Sequence, residues 1–197
     1  MKLNFKIQSF IFLLLILVSC GTAPSNFYLL SAANDYQVEN SSSNDQIGIG
    51  IGNIELPDYL LKPQIAKYTS DNKIIYDEFN RWAEPLDENF ARVMIENLSQ
   101  MIPTNSIYLF MWPEDHVDVF QVNVKVDQFG LASDGSVILN ARWSVSSKNV
   151  KSYWISQKSN YQERITEINY SQISSAMSSL IKSLSEDIAE EIKRKVK

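Results

Sequence analysis

The sequence predicts a single α+β domain, a mixed and largely antiparallel sheet packed with two long amphipathic helices. Three observations carry that expectation. Val137, Leu139, Ala141, Trp143 and Val145 alternate with Ile138, Asn140, Arg142 and Ser144, and Val122, Val124 and Val126 alternate with Asn123, Lys125 and Asp127. Period-two runs on either side of Asp134-Gly135, a hairpin turn signal, predict paired antiparallel strands with one buried face. Leu86, Phe90, Val93, Met94, Leu98 and Met101 recur at helical spacing, as do Ile173, Met177, Leu180, Leu184, Ile188 and Ile192.

The chain opens on a separate signal. Lys2 and Lys6 give a positive start, and Phe10 to Val18 is an unbroken apolar run of 9 residues. That is the pattern of a secretory leader, and it is too short to span a bilayer, which takes about 20 apolar residues. Its end, Leu17-Val18-Ser19-Cys20, resembles a bacterial lipobox. The resemblance implies removal of residues 1–19 and a covalent S-diacylglycerol with N-acylation (palmitate) on Cys20, the new first residue. The competing readings are an ordinary cleaved leader in which Cys20 is incidental, and a retained membrane anchor.

Cleavage leaves 178 of the 197 residues, comfortable for one domain. The net charge of −5 falls to −7 once Lys2 and Lys6 are gone. That argues against nucleic acid and against electrostatic adhesion to anionic lipid, both of which want basic surface. Acyl chains would hold the membrane instead, at about 0.8 kcal/mol per buried CH₂. Cys20 is the only cysteine, so with it lipidated no disulfide and no thiolate metal site can form.

Residues 20–26 form a small, polar, lipidated tether, whose stretch from Gly21 to Asn26 reaches about 20 Å at most. The domain is expected over residues 27–197. Phe27-Tyr28-Leu29-Leu30 reads as a short strand, and the Ser-, Asn- and Asp-rich stretch 31–46 as a loop. Ile47, Ile49 and Ile51 alternate with Gly48, Gly50 and Gly52, which leaves one strand face bare for a close neighbour. A nucleotide loop needs G-x-G-x-x-G between strand and helix, whereas these glycines lie within the strand and Pro57 follows. Residues 65–69 and 73–79 flank Ser70-Asp71-Asn72 as a hairpin, and Pro57 and Pro63 stiffen the loop Asp58-Tyr59-Leu60-Leu61.

The first helix should start at Pro85, with Glu84, Asp87 and Glu88 at the positive end of its dipole and a Glu88–Arg92 pair on the wet face. Pro103 stops it. Residues 107–112 read as a buried strand, and Lys148-Asn149 turns into a weaker strand through Tyr153 and Ile155. The second helix carries Glu190–Arg194 and Glu191–Lys195 pairs and a basic end.

Reactive constellations are scarce. His116 is the only histidine and lies beside Glu114-Asp115, without the spaced partners that a triad or a metal site needs. Glu84, Asp87 and Glu88 offer an acid–base pair in principle, but helix capping explains them without further assumptions. Tyr108, Phe110 and Trp112 read as core. Asn97-Leu98-Ser99 matches a glycosylation pattern but falls inside a helix.

Taken together, these stretches resemble the ABC-type transport auxiliary lipoproteins, the PqiC-like lipoproteins of MCE lipid-transport systems. The resemblance is carried by Phe27-Tyr28-Leu29-Leu30, by Ile47-Gly48-Ile49-Gly50 through Glu55-Leu56-Pro57-Asp58-Tyr59-Leu60 to Lys62-Pro63-Gln64-Ile65, and above all by Arg81-Trp82-Ala83-Glu84-Pro85-Leu86-Asp87-Glu88-Asn89-Phe90-Ala91-Arg92-Val93. Leu139-Asn140-Ala141-Arg142-Trp143 and Ala176-Met177-Ser178 also fit. The resemblance implies a non-enzymatic, periplasm-facing outer-membrane lipoprotein that docks or completes an MCE-domain tunnel, with a homo-oligomeric ring as one arrangement. Gly21 in place of aspartate agrees with outer-membrane sorting. The candidate partner contacts are Leu56, Asp58, Tyr59, Leu60, Arg81 and Trp82, with ordinary edge packing as their alternative. A second reading is a periplasmic shuttle that itself carries an acyl chain.

Overall fold

The computed structural model describes residues 23–33, 47–104, 106–109, 118–147 and 154–196. Leu17, Val18, Ser19 and Cys20, the rest of the leader, His116, Phe110, Trp112 and the turn at Lys148-Asn149 lie outside the described residues. The strands are β1 (Asn26–Tyr28), β2 (Ile47–Glu55), β3 (Gln64–Tyr68), β4 (Ile74–Trp82), β5 (Ile107–Leu109), β6 (Asp118–Leu131), β7 (Ser136–Ser147) and β8 (Trp154–Arg164). The helices are α1 (Leu86–Met101) and α2 (Tyr170–Val196).

All eight strands join one mixed sheet, and β6 is its spine. Along one edge β6 pairs antiparallel with β7, which pairs antiparallel with β8. Its other edge is shared. The first part pairs parallel with β2, and Leu131 at the far end meets Lys67 of β3. From there the sheet forks, to β5 beyond β2 and to β4 and β1 beyond β3. The long ladders are antiparallel as expected; the parallel ones are shorter.

The alternation seen in the sequence sorts the faces. Ile51, Val122 and Val145 stand side by side in register and are buried, whereas the Lys125 row carries Glu55 and Arg142. Lys125 bonds Glu55 at 2.6 Å, Arg142 bonds Asp127 at 2.6 Å, and Asn140 bonds Gln128 at 2.7 Å across this polar outer face. α1 contacts β2 and β5, α2 contacts β6, β7 and β8, and the helices contact each other, so both lie side by side on the apolar face. Phe90 of α1 meets Phe129 of β6 edge to face at 5.4 Å.

Local chemistry sets the element ends. Asp134 accepts from the Ser136 N–H at 3.0 Å, and Gly135 takes the φ of 80° that the β6–β7 turn requires. Asn169 caps α2 by accepting from the Gln172 N–H at 2.9 Å. Gly52 meets its expected close neighbour: a Cβ there would stand 2.2 Å from Asn123 Oδ1.

Three local expectations change. Arg92 pairs with Glu84 and, at 3.5 Å, with Glu96, not with Glu88, because its long side chain reaches back past the helix start. Arg194 pairs with Glu191, one turn away. Tyr108 and Leu109 are 40% and 42% exposed, because among the described residues β5 pairs with β2 alone and forms an edge.

Candidate functional site

The segment that follows the tether is built into the helix layer. Leu30 N–H donates to Asn89 Oδ1 at 2.7 Å, and Asn89 Nδ2 returns a bond to the Leu30 carbonyl at 3.3 Å. Two turns along α1, Asn97 Oδ1 accepts from the Ala33 N–H at 3.0 Å. From α2, Ser178 Oγ accepts from the Ser31 N–H at 3.1 Å. Eight helical residues rise about 12 Å, and three extended residues span about 10 Å, so the two asparagines match the segment they hold. All three side chains are buried. Residues 30–33 are thus clamped by both helices. Asn97 Nδ2 is buried without a hydrogen-bond partner.

β1 is stitched in beside the clamp. Tyr28 stacks at a tilt on Tyr170, with ring centroids 5.8 Å apart, and its hydroxyl donates to Asn80. Tyr170 donates to Asp77 Oδ2 at 2.6 Å, and that bond holds the Asp77 carboxyl down at about 2. Burial, and then Asp77 itself, push the Tyr170 phenol up. Lys67 Nζ lies 4.4 Å from the same ring.

The predicted contact residues divide. Leu60 and Trp82 are core side chains: the 3₁₀ turn Asp58–Leu60 tucks Leu60 inward, and Trp82 stands opposite Tyr28 on the helix side of β4. Neither reaches the surface, because both belong to elements where the sequence reading placed loops. Tyr59 is half-buried and has a structural task. The register of β6 slips at Asp127, and Tyr59 donates to the Asp127 carbonyl at 3.3 Å while Tyr68 accepts from the Phe129 N–H at 3.0 Å. The two hydroxyls bond each other at 2.7 Å, so the phenols satisfy backbone groups that the bulge leaves out of the ladder. Burial raises both phenol pKa values. Leu56 is half-buried, Asp58 is exposed, and Arg81 is half-exposed with Nε bonded to the Glu78 carbonyl.

A cavity of about 600 Å³ opens between α1 and the β2–β5 edge. Ile54, Ala91, Ile95 and Leu109 supply its apolar wall, and Glu84, Asp87, Glu88 and Glu96 surround Arg92 at its rim. The acids of the α1 start therefore share one mouth, with Glu84 and Glu96 already committed to Arg92. Sequence reading missed Asn89, Asn97 and Ser178. For the asparagines a signal existed, since each interrupts the apolar stripe of α1.

The clamp, strands β2 to β8, α1 and most of α2 fall within one stretch that matches known proteins. The family model of the ABC-type transport auxiliary lipoprotein component matches residues 28–189. The chain belongs to this family. Over 127 residues it is 27% identical to the intermembrane transport lipoprotein PqiC of Escherichia coli (strain K12), covering 64% of this chain and 65% of that protein. The chain thus spans slightly less than two thirds of that relative, and the protein of the same name from Shigella flexneri matches to the same extent. The crystal structure of an uncharacterized protein superposes with a TM-score of 0.70 at 21% identity, over 86% of this chain and 99% of its own. A crystal structure from Xanthomonas campestris superposes at 0.59 and 6% identity, over 84% and 91%. At such identities the two structures speak for the fold alone. The family match begins at Tyr28, where β1 meets the clamp, and ends inside α2. Among the described residues no helix is long and apolar enough to cross a membrane.

Proposed function

We propose that this family member is held on the outer membrane by acyl chains on Cys20, faces the periplasm, and docks or completes an MCE-type intermembrane lipid-transport complex without catalysing a reaction. The clamp at residues 30–33 is the observation that supports this most. An anchored chain that ran freely into its domain would leave the domain's position loose. Here residues 30–33 are bonded to both helices, so a tether of about 20 Å would be the slack left between membrane and fold. The family description and the name of the PqiC relative support the transport role.

The partner surface is assigned to Leu56, Asp58 and Arg81 with the exposed edge of Tyr59. The same surface, repeated by symmetry, would serve a homo-oligomeric ring. Photo-crosslinkers at positions 58 and 81 in intact envelopes test the placement. Capture of an MCE-domain protein is expected, and absence of any such product at both positions would refute it. Labelling with a palmitate analogue tests the anchor, since Cys20→Ser should abolish incorporation. The shuttle reading has one foothold, the cavity beside α1, but its four carboxylates against one arginine oppose the phosphate of a bound phospholipid.

A further inference from the structure

Among the described residues β1 closes one end of the sheet and pairs with β4 alone, with Phe27 opposite Arg81 and Tyr28 opposite Trp82. Tyr28 and Trp82 turn inward, and Phe27 and Arg81 therefore outward, with Phe79 exposed beside them where the β3–β4 register slips. Phe27 is 64% exposed, Phe79 44%, and Leu29, two residues beyond Phe27, 49%. Over β2, β6 and β7 that side of the sheet is covered by ion pairs and amides, and the exposed apolar side chains lie toward its ends, Phe27, Leu29, Ile75 and Phe79 at this one and Trp154 on β8 at the other. The position of the β1-end stripe in the chain gives it an occupant. Phe27 lies seven residues beyond Cys20, at most about 25 Å of chain from the anchor.

We infer that Phe27, Leu29 and Phe79 form a seat that rests on the bilayer surface entered by the Cys20 anchor, while Arg81, paired with Glu78 at 3.7 Å, stays with the partner surface. The inference rests on the proposed lipidation of Cys20 and adds an orientation to it. Phenylalanine and leucine side chains exposed together on one edge sink into the boundary between headgroups and acyl chains. Acyl chains alone fix a distance; a seat also fixes which edge faces the membrane. β8, five strands away along the path β1–β4–β3–β6–β7–β8, then projects about 24 Å into the periplasm.

The first arm of the test leaves the stripe intact. Environment-sensitive labels are placed on Ser25→Cys and Ala83→Cys, exposed neighbours of the stripe, and on Lys158→Cys of β8 as control. The full-length lipoprotein is incorporated into phosphatidylethanolamine–phosphatidylglycerol vesicles with brominated acyl chains. Labels at 25 and 83 should shift to the blue and lose intensity, the label at 158 should do neither, and adding Phe27→Ser with Phe79→Ser should restore the signal at 25. Labels at 25 and 83 that stay unquenched on vesicles still carrying the protein would overturn the seat and leave the anchor standing. The seat falls equally if they are shielded from aqueous iodide but untouched by bromolipid, which would put a second copy or another protein there. Uptake of label by Cys20 in the unsubstituted chain would remove the anchor, and the seat with it.

Discussion

Asn89 is the residue on which the N-terminal attachment turns, because it serves both polar groups of Leu30 inside the core. Asn89→Ala would leave a buried N–H and a buried C=O without partners, at about 1–3 kcal/mol for each such group. A loss of about 2–3 kcal/mol in urea unfolding is expected, with earlier proteolytic release of residues 23–33; a change below about 0.5 kcal/mol would mean that water replaces the amide at no cost. Asp77 makes a second, pH-dependent prediction. Its carboxyl is held at about 2 by Tyr170, below the unfolded value, so the stabilisation is complete above about pH 4 and fades as the pH falls toward 2. Solvent screening at this accessible site reduces it to about 1 kcal/mol. The stability gap between the native chain and Tyr170→Phe should therefore narrow between pH 6 and pH 2.5, and a gap that stays constant would break the link to Asp77.

At the scale of elements, the sequence made regular things legible and irregular ones not. Alternation at 122–126 and 137–145 placed the two central strands and their buried face, because a strand half covered by helices must repeat with period two. Leu86 to Met101 placed α1 for the corresponding reason at period 3.6. The apolar run from residue 107 misled, since apolarity reports burial in general but not whether a strand has neighbours on both sides. The clamp was half legible. Asn89 and Asn97 interrupt the apolar stripe, a signal the sequence reading passed over, and their partners lie 59 and 64 residues earlier, where no local pattern joins them. The glycines of β2 announced a close approach without naming the approaching group, which at Gly52 is Asn123. Gly52→Ala should destabilise by about 1–2 kcal/mol through overpacking against that side chain. Adding Asn123→Ala should recover part of the loss, since it removes the two side-chain atoms that crowd the new Cβ and leaves the Val122 carbonyl at 3.2 Å. A purely additive double variant would show that the two sites do not touch in solution.

For the whole molecule, position and stability should separate cleanly. Among the described residues the core runs from Leu30 to Ile192, with the clamp closing one end, and the proposed anchor is expected to contribute location only. A chain whose leader and Cys20 are replaced by a secretory leader that leaves no lipid should keep its urea midpoint within about 0.5 kcal/mol, because every core residue from Leu30 to Ile192 is retained. It should nevertheless appear in the osmotic-shock fraction and lose crosslinking to its envelope partner at native expression. The reason is effective concentration. A tether of about 20 Å confines the domain to a thin layer beside the membrane, and linkage of that kind raises occupancy by about 10²–10⁴ without adding a contact. The loss should accordingly be curable by mass action, with strong overexpression of the lipid-free chain restoring crosslinks at the same positions. Asn89→Ala predicts the opposite pairing, with palmitate labelling retained and stability reduced. If the lipid-free chain supported full crosslinking at native abundance, placement on the membrane would not be what the anchor supplies, and the clamp would be left with a purely structural role.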